Sequence, residues 1–152
     1  MLGTVKIVGD RAVIEDTDRI ARNYPDAMVR GISRIIVGVH GEAVKNLSGP
    51  GAKKSKTAAG GYPVPVRIGH LRRSENFVLP GKTKTSNGLS FSAGRFGGIV
   101  YNSAEYSRVI HEGRGSSRKY GKRAYISDAV LKYDQGGKMI RVLDEEMSKD
   151  LV

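Results

Sequence analysis

The residue types in this chain that could do chemistry are three histidines, a lysine-bearing glycine-rich stretch, and a run of arginines and lysines interleaved with tyrosines. The stretch from Gly49 to Thr57, with Lys53, Lys54 and Lys56, has the composition of a phosphate-binding loop. Such a loop needs glycine directly before Lys-Ser/Thr, so that bare backbone amides close around the phosphates. Here Lys53 precedes Lys54-Ser55 and Ser55 precedes Lys56-Thr57. The stretch also follows a helical pattern instead of a strand, so the amides would not line up. His40, His70 and His111 have no HxxxH or HExxH spacing to place two imidazoles on one metal. His111-Glu112 has the types for general acid–base work in a nuclease. Adjacent side chains diverge, however, and no carboxylate cluster stands near to hold magnesium. A histidine bonding locally in a turn is the simpler reading. No serine sits in a G-x-S-x-G elbow and there is no cysteine, which removes thiol nucleophiles, thiolate metal sites and disulfides. The expectation is a protein that is not an enzyme and carries no cofactor or metal.

Binding chemistry is better represented. Arg114, Arg118, Lys119, Lys122 and Arg123, with Tyr120 and Tyr125 among them, offer phosphate contacts and faces on which bases can stack. The formal net charge of +11 favours an anionic partner. Acidic neighbouring proteins in an assembly would answer the same charge. The basic run is accompanied by no RNP, zinc-finger or helix-turn-helix pattern, which tilts the balance toward protein contact.

These residues must be positioned by a single domain spanning 1–152, since 152 residues with 39% hydrophobic content suffice for one modest core. Val5 to Val8 and Arg11 to Glu15, joined by Gly9-Asp10, read as a β-hairpin over residues 1–15. Asp16, Thr17 or Asp18 then caps a short helix through Tyr24, and Pro25 opens the next, which runs to Leu47. Its apolar stripe is Val29, Ile32, Ile36, Val39, Ala43 and Leu47, widened by Ile35 and Val44. Gly31, Gly38 and Gly41 either weaken this helix or mark close backbone approach. Residues 48–68 lack periodicity and read as an exposed basic loop.

Next come a turn of helix from Gly69 to Ser74, a strand from Asn76 to Leu79, a turn at Asn87-Gly88, a half-buried alternating strand from Leu89 to Ala93, and a strand from Gly98 to Tyr101. Together residues 76–102 read as an antiparallel meander, one face of which covers the long helix. Residues 112–123 form a second exposed loop. Ser127 or Asp128 caps a helix through Leu131 that ends at Gly136-Gly137. A last helix from about Lys138 turns Ile140, Leu143, Met147 and Leu151 inward and Asp144, Glu145 and Glu146 outward. The fold expected is α+β, with a long N-terminal helix packed on a small antiparallel sheet, a C-terminal helix and long basic loops. No signal peptide or membrane span is legible, so no membrane partner is expected.

Three segments in order resemble a known family. Gly69-His70-Leu71-Arg72-Arg73-Ser74 fits a Gly-x-Leu-Arg-x-Ser pattern leading into a strand, although Val64 to Ile68 depart from the Asp-Thr the family more often has before the glycine. The strand Ile99-Val100-Tyr101 is followed by Tyr106 and then by a hydrophobic residue ahead of Glu112-Gly113. Arg123-Ala124-Tyr125-Ile126 resembles an Arg-Pro-Phe-Leu entry into a C-terminal helix, without its proline. Across roughly residues 25–133 the chain thus resembles the tail-completion, or head–tail joining, proteins of tailed bacteriophages, to which the lambda minor tail protein Z is similar.

The resemblance implies a structural virion protein, assembled in the host cytoplasm and placed in the neck as one subunit of a homo-oligomeric ring, expected to be hexameric. It would act by contact with the stopper or connector and the tail terminator, with passing DNA as a further neighbour. The residues expected to make contacts are Lys53, Lys54, Lys56, Arg72, Arg73, Tyr106, Glu112, Arg114, Arg118, Lys119, Lys122 and Arg123. The alternatives are a tail terminator, another minor tail protein, or a free nucleic-acid-binding protein.

Overall fold

A computed structural model describes residues 10–48, 69–112 and 124–149. Its spine is α1, Asp10–Asn46, one helix of 37 residues, about 55 Å long at the usual rise per residue. This corrects two expectations. Arg11 to Glu15, the second strand of the expected hairpin, are helical, while Val5 to Val8 lie outside the described residues. A lone two-stranded hairpin is marginal in water, whereas extending an existing helix gains a hydrogen bond for each residue fixed. Pro25 lies inside the same helix instead of opening a new one, giving up one backbone bond in its interior.

The apolar stripe of α1 does what its period demands, burying Val39, Ala43 and Leu47. Two further helices pack on α1: α4, Tyr125–Tyr133, and α5, Lys138–Ser148. Gly31 and Gly38 are where they come close. A Cβ on Gly31 would sit 2.7 Å from Leu143 Cδ2, and one on Gly38 would run into the Tyr133 ring, 2.6 Å from its hydroxyl. Gly41 has no such neighbour within 4 Å among the described residues.

At the α4–α5 turn Gly136 and Gly137 adopt φ of 70° and 71°, a left-handed pair that ends one helix and starts the next. The N-terminus of α4 precedes the expected caps Ser127 and Asp128 and has no side-chain cap. On α5 the expected orientation is partly reversed. Glu146 is 3% exposed and Ile140 65% exposed, because the inward row is Met139, Val142, Leu143, Glu146 and Met147. Arg30 and Arg34 on α1 take the Glu146 carboxylate between the helices, Arg34 at 2.6 Å and Arg30 at 3.4 Å.

Between α1 and α4 come α2, His70–Arg73; β1, Glu75–Val78; β2, Thr83–Ser86; β3, Leu89–Ser92; β4, Ile99–Asn102; and α3, Ser107–Glu112. The strands form two antiparallel pairs in place of one meander. β1 pairs with β4 from Glu75↔Asn102 to Val78↔Ile99, and the β2–β3 hairpin is inserted between them. Its turn is Asn87-Gly88, with φ of 49° and 77°, as the Asn-Gly pair predicts. β1 and β4 pack on α1, and a Cβ on Gly98 would run into Ile36. The alternation in β3 therefore does not bury Leu89, which is 59% exposed. Phe91 instead stacks on Tyr101 with ring centroids 4.0 Å apart.

Candidate functional site

Two buried clusters hold these elements. Val39 and Ala43 meet Ala129 and Tyr133 along the helical layer. At the C-terminal end of α1, Leu47, Leu71, Ala104 and Tyr125 form the second, with Ile110 and Ile126 against it. Most members of this second cluster flank one of the two basic stretches of the sequence. Leu47 precedes the stretch 49–68 and Leu71 follows it; Ile110 precedes the stretch 113–123 and Tyr125 follows it. The residues that flank both stretches thus meet in one cluster at the C-terminal end of α1.

Their composition gives that end its character. Residues 49–68 carry Lys53, Lys54, Lys56 and Arg67 with no acidic residue, and residues 113–123 carry Arg114, Arg118, Lys119, Lys122 and Arg123 with none. Nine of the chain's net +11 charges thus belong to segments rooted at this cluster, leaving +2 for all the rest. Of the residues expected to make contacts, Lys53, Lys54, Lys56, Arg114, Arg118, Lys119, Lys122 and Arg123 lie outside the described residues. Glu112 is the last residue of α3. Arg72, Arg73 and Tyr106 are exposed, and the Tyr106 ring lies 6.0 Å from that of His70 on α2.

The anchor beneath is built mainly from side-chain amides and hydroxyls bonded to backbone groups, with the Glu75 carboxyl as a further acceptor. Asn46 Nδ2 donates to the Tyr125 carbonyl at 3.0 Å, tying α1 to α4. Asn102 Nδ2 donates to the Leu71 carbonyl at 2.7 Å and to Glu75 Oε2 at 2.8 Å, and Asn102 Oδ1 accepts from the Ala104 amide at 3.0 Å. The Ser103 amide donates to the Ser74 carbonyl at 3.0 Å. Asn and Ser do this work because short side chains reach nearby backbone groups without bringing charge inside.

Each histidine has a local partner of its own. The His40 ring packs 4.8 Å from Phe77 and bonds the Glu75 backbone carbonyl, and burial pulls its pKa down. His111 sits edge-on to Tyr125, with Ser127 Oγ 3.4 Å from Nε2. That distance is longer than activation of a serine nucleophile needs. Among the described residues no group of three or more His, Asp or Glu is placed to hold a metal ion.

Two buried carboxyls stand out that the sequence pattern does not single out. Glu75 is 6% exposed, and burial pushes it up to about 7 against the opposing bond from Asn102. Glu146 is held down at about 2 by Lys149 and Arg34 first, and by Arg30. A signal for Glu146 existed: it lies three and four residues after Leu143 and Val142 on the inward row, and Arg30 and Arg34 are four apart on one face of α1. For Glu75 the sequence offers only a carboxylate at the head of a strand. No protein-family model matches the chain, and no curated protein or solved structure matches it.

Proposed function

We propose that this chain is a structural subunit of the neck of a tailed bacteriophage, joining head to tail through protein contacts made at the end of the molecule where α1 terminates. One observation carries the reading. Both basic segments are rooted at a single hydrogen-bonded anchor, beside Arg72, Arg73 and Tyr106. Two segments that together carry nine Lys and Arg and no acidic residue, flanked by that anchor, and a helical layer close-packed on glycine at Gly31 and Gly38 suit a part that grips neighbours. Acidic surfaces on adjoining subunits, on the stopper and on the tail terminator are the partners such an end selects. The element order agrees with the resemblance: a long helix, the Gly69–Ser74 turn, the β1/β4 ribbon, α3, and C-terminal helices. A ring, expected to be sixfold, would place the same end of every copy against the same neighbour.

The test is a stop codon in this gene in its parent phage, followed by negative-stain electron microscopy of the lysate. Separate filled heads and finished tails are expected. Normal infectious particles would overturn the reading and bring nucleic-acid binding forward, and overlong tails would assign a terminator instead.

A further inference from the structure

β2 and β3 stand apart from the other strands as a two-stranded sheet of their own. Of their residues, Ser86 and Phe91 are half-buried and the rest are exposed. They lie on the β1/β4 ribbon through the Phe91–Tyr101 stack, a bond from Lys84 Nζ to Asn76 Oδ1 at 2.8 Å and one from Asn87 Nδ2 to the Ser103 carbonyl at 2.8 Å. A two-stranded hairpin is marginal in water, and a third strand stabilises such a sheet.

Both edges of this sheet are open among the described residues. The two-residue Asn87-Gly88 turn makes Ser86↔Leu89 a pair that exchanges backbone bonds, and bonded pairs alternate with unbonded ones along the ladder. Lys84↔Phe91 is therefore bonded, and the phase continues where the Ala93 amide donates to the Lys82 carbonyl at 2.9 Å. Thr83 and Thr85 then aim their N–H and C=O groups away from β3, and Ser90 and Ser92 aim theirs away from β2. Among the described residues no turn or loop bond takes up any of these groups. Nor are the edges guarded. The pairing is regular, neither strand holds proline, and the one charged residue, Lys84, is turned onto Asn76 and Phe77.

We propose that β2 of one copy pairs with the free edge of β3 in a second copy, joining the hairpins into a continuous antiparallel sheet from subunit to subunit. The occupant is a second copy because β2 already matches β3 side chain by side chain, with Thr83 Oγ1 2.9 Å from Ser92 Oγ. Across the new edge Thr83 again meets Ser92, Thr85 meets Ser90 and Lys84 meets Phe91, the bonds now being exchanged by the Thr and Ser residues. Rotating successive copies about one axis keeps every hairpin pointing the same way. β2 therefore meets the neighbour's β3 antiparallel, the sense it has with its own. Pairing β2 with β2 instead would set the Lys84 side chains of the two copies against each other, and like charges so placed destabilise. Head-to-tail contacts of this kind either close or run on as a filament, and that they close as a ring rests on the neck reading.

Sedimentation velocity on the full chain, from about 10 µM to about 1 mM, tests the pairing in the wild type, in Thr85→Pro and in Ser90→Pro. Each proline removes an N–H that points outward, so the hairpin's own ladder keeps its bonds. The wild type should pass beyond the dimer, and each variant should stay monomeric alone. An equimolar mixture of the two variants should stop at the dimer, because one intact β2 edge then meets one intact β3 edge. The pairing is overturned by a wild type that stays monomeric or stops at the dimer, by either variant assembling alone, or by a mixture that stays monomeric. Thr85→Pro dimerising by itself would assign β3 to β3 contact instead. If the proline variants do not fold, hydrogen exchange on the wild type decides. The amides of Thr83, Thr85, Ser90 and Ser92 should gain about tenfold or more in protection across the same concentrations, and unchanged rates there overturn the idea. None of these readouts depends on head–tail joining, so the pairing and the neck reading fail separately.

Discussion

Replacing Gly38 and Gly41 by alanine, one at a time, should move stability in opposite directions, although both lie inside α1 and are only three residues apart. In an isolated helix each change would gain about 1 kcal/mol, because glycine loses more backbone freedom than alanine. At Gly41 that gain should be kept, since none of the described residues lies within 4 Å of the added Cβ. At Gly38 the added carbon meets the ring of Tyr133, itself buried against Val39, Ala43 and Ala129. Either the ring leaves its place or α4 moves off α1. Overpacking of this kind costs about 1–3 kcal/mol and the loss of a buried aromatic more, which outweighs the helix gain. The expected outcome is Gly41→Ala more stable by up to about 1 kcal/mol and Gly38→Ala less stable by about 1–3 kcal/mol. In a chain of this length that is a separation of several degrees in Tm. Urea melts followed by circular dichroism, with midpoint and slope fitted for each variant, measure it. Combining Gly38→Ala with Tyr133→Ala should show strong coupling, because the clash disappears with the ring. Changes of the same sign at both glycines, or an additive double variant, would refute the close approach of α4 to α1.

Three further outcomes follow from the carboxyls and the charge distribution. Glu75 binds its proton more tightly folded than unfolded. Its contribution is therefore complete below the ordinary value of 4.5 and lost as pH rises through about 7. At about 1.4 kcal/mol per pH unit this allows a loss of at most about 3 kcal/mol. Glu75→Gln should accordingly exceed the wild type in Tm at about pH 8 and match it near pH 4, and a pH-independent difference would count against the assignment. Glu146 has the opposite sign, since its pairs with Lys149, Arg34 and Arg30 hold it at about 2. The wild type should exceed Glu146→Gln in Tm above the ordinary 4.5, with the gap closing as pH falls toward 2, as thermal melts across that range would show. Changing Arg114, Arg118, Lys119, Lys122 and Arg123 together to serine should leave Tm within about 2 °C of the wild type while abolishing head–tail joining in a complementation assay. Unimpaired joining would remove that segment from the contact surface.

How much of this was legible in the sequence depends on how far apart the deciding residues lie. The stripe of α1 through Val39, Ala43 and Leu47, the Asn87-Gly88 turn and the Gly136-Gly137 break are local signals, read within a few residues and found in place. The long helix on an antiparallel ribbon with C-terminal helices was legible for the same reason. The pairing of β1 with β4 was not, because Glu75 and Asn102 are 27 residues apart and adjacency in sequence suggests a meander. The inward turn of Glu146 needed Arg30, 116 residues away. Gly9-Asp10 has the composition of a hairpin turn, but the residues after it continue α1 from Asp10 to Asn46.

At the C-terminal end of α1 the anchor and the charge are kept on separate residues. The nine positive charges of the two basic segments would load any ion pair used to hold the cluster that flanks those segments. The anchor avoids this by using neutral amides and hydroxyls, Asn46, Asn102 and Ser103, on backbone carbonyls, together with buried Leu47, Leu71 and Tyr125. Salt screens charges within about 10 Å at moderate ionic strength but barely alters neutral hydrogen bonds or apolar burial. Raising salt should therefore weaken association through the basic segments steeply, while the fold beneath them keeps or slightly gains Tm as the repulsion is relieved. Ion pairs hold the other junction, where α5 meets α1 through Glu146. There the carboxylate is buried between Arg30 and Arg34, so pairing compensates a charge that burial alone would penalise.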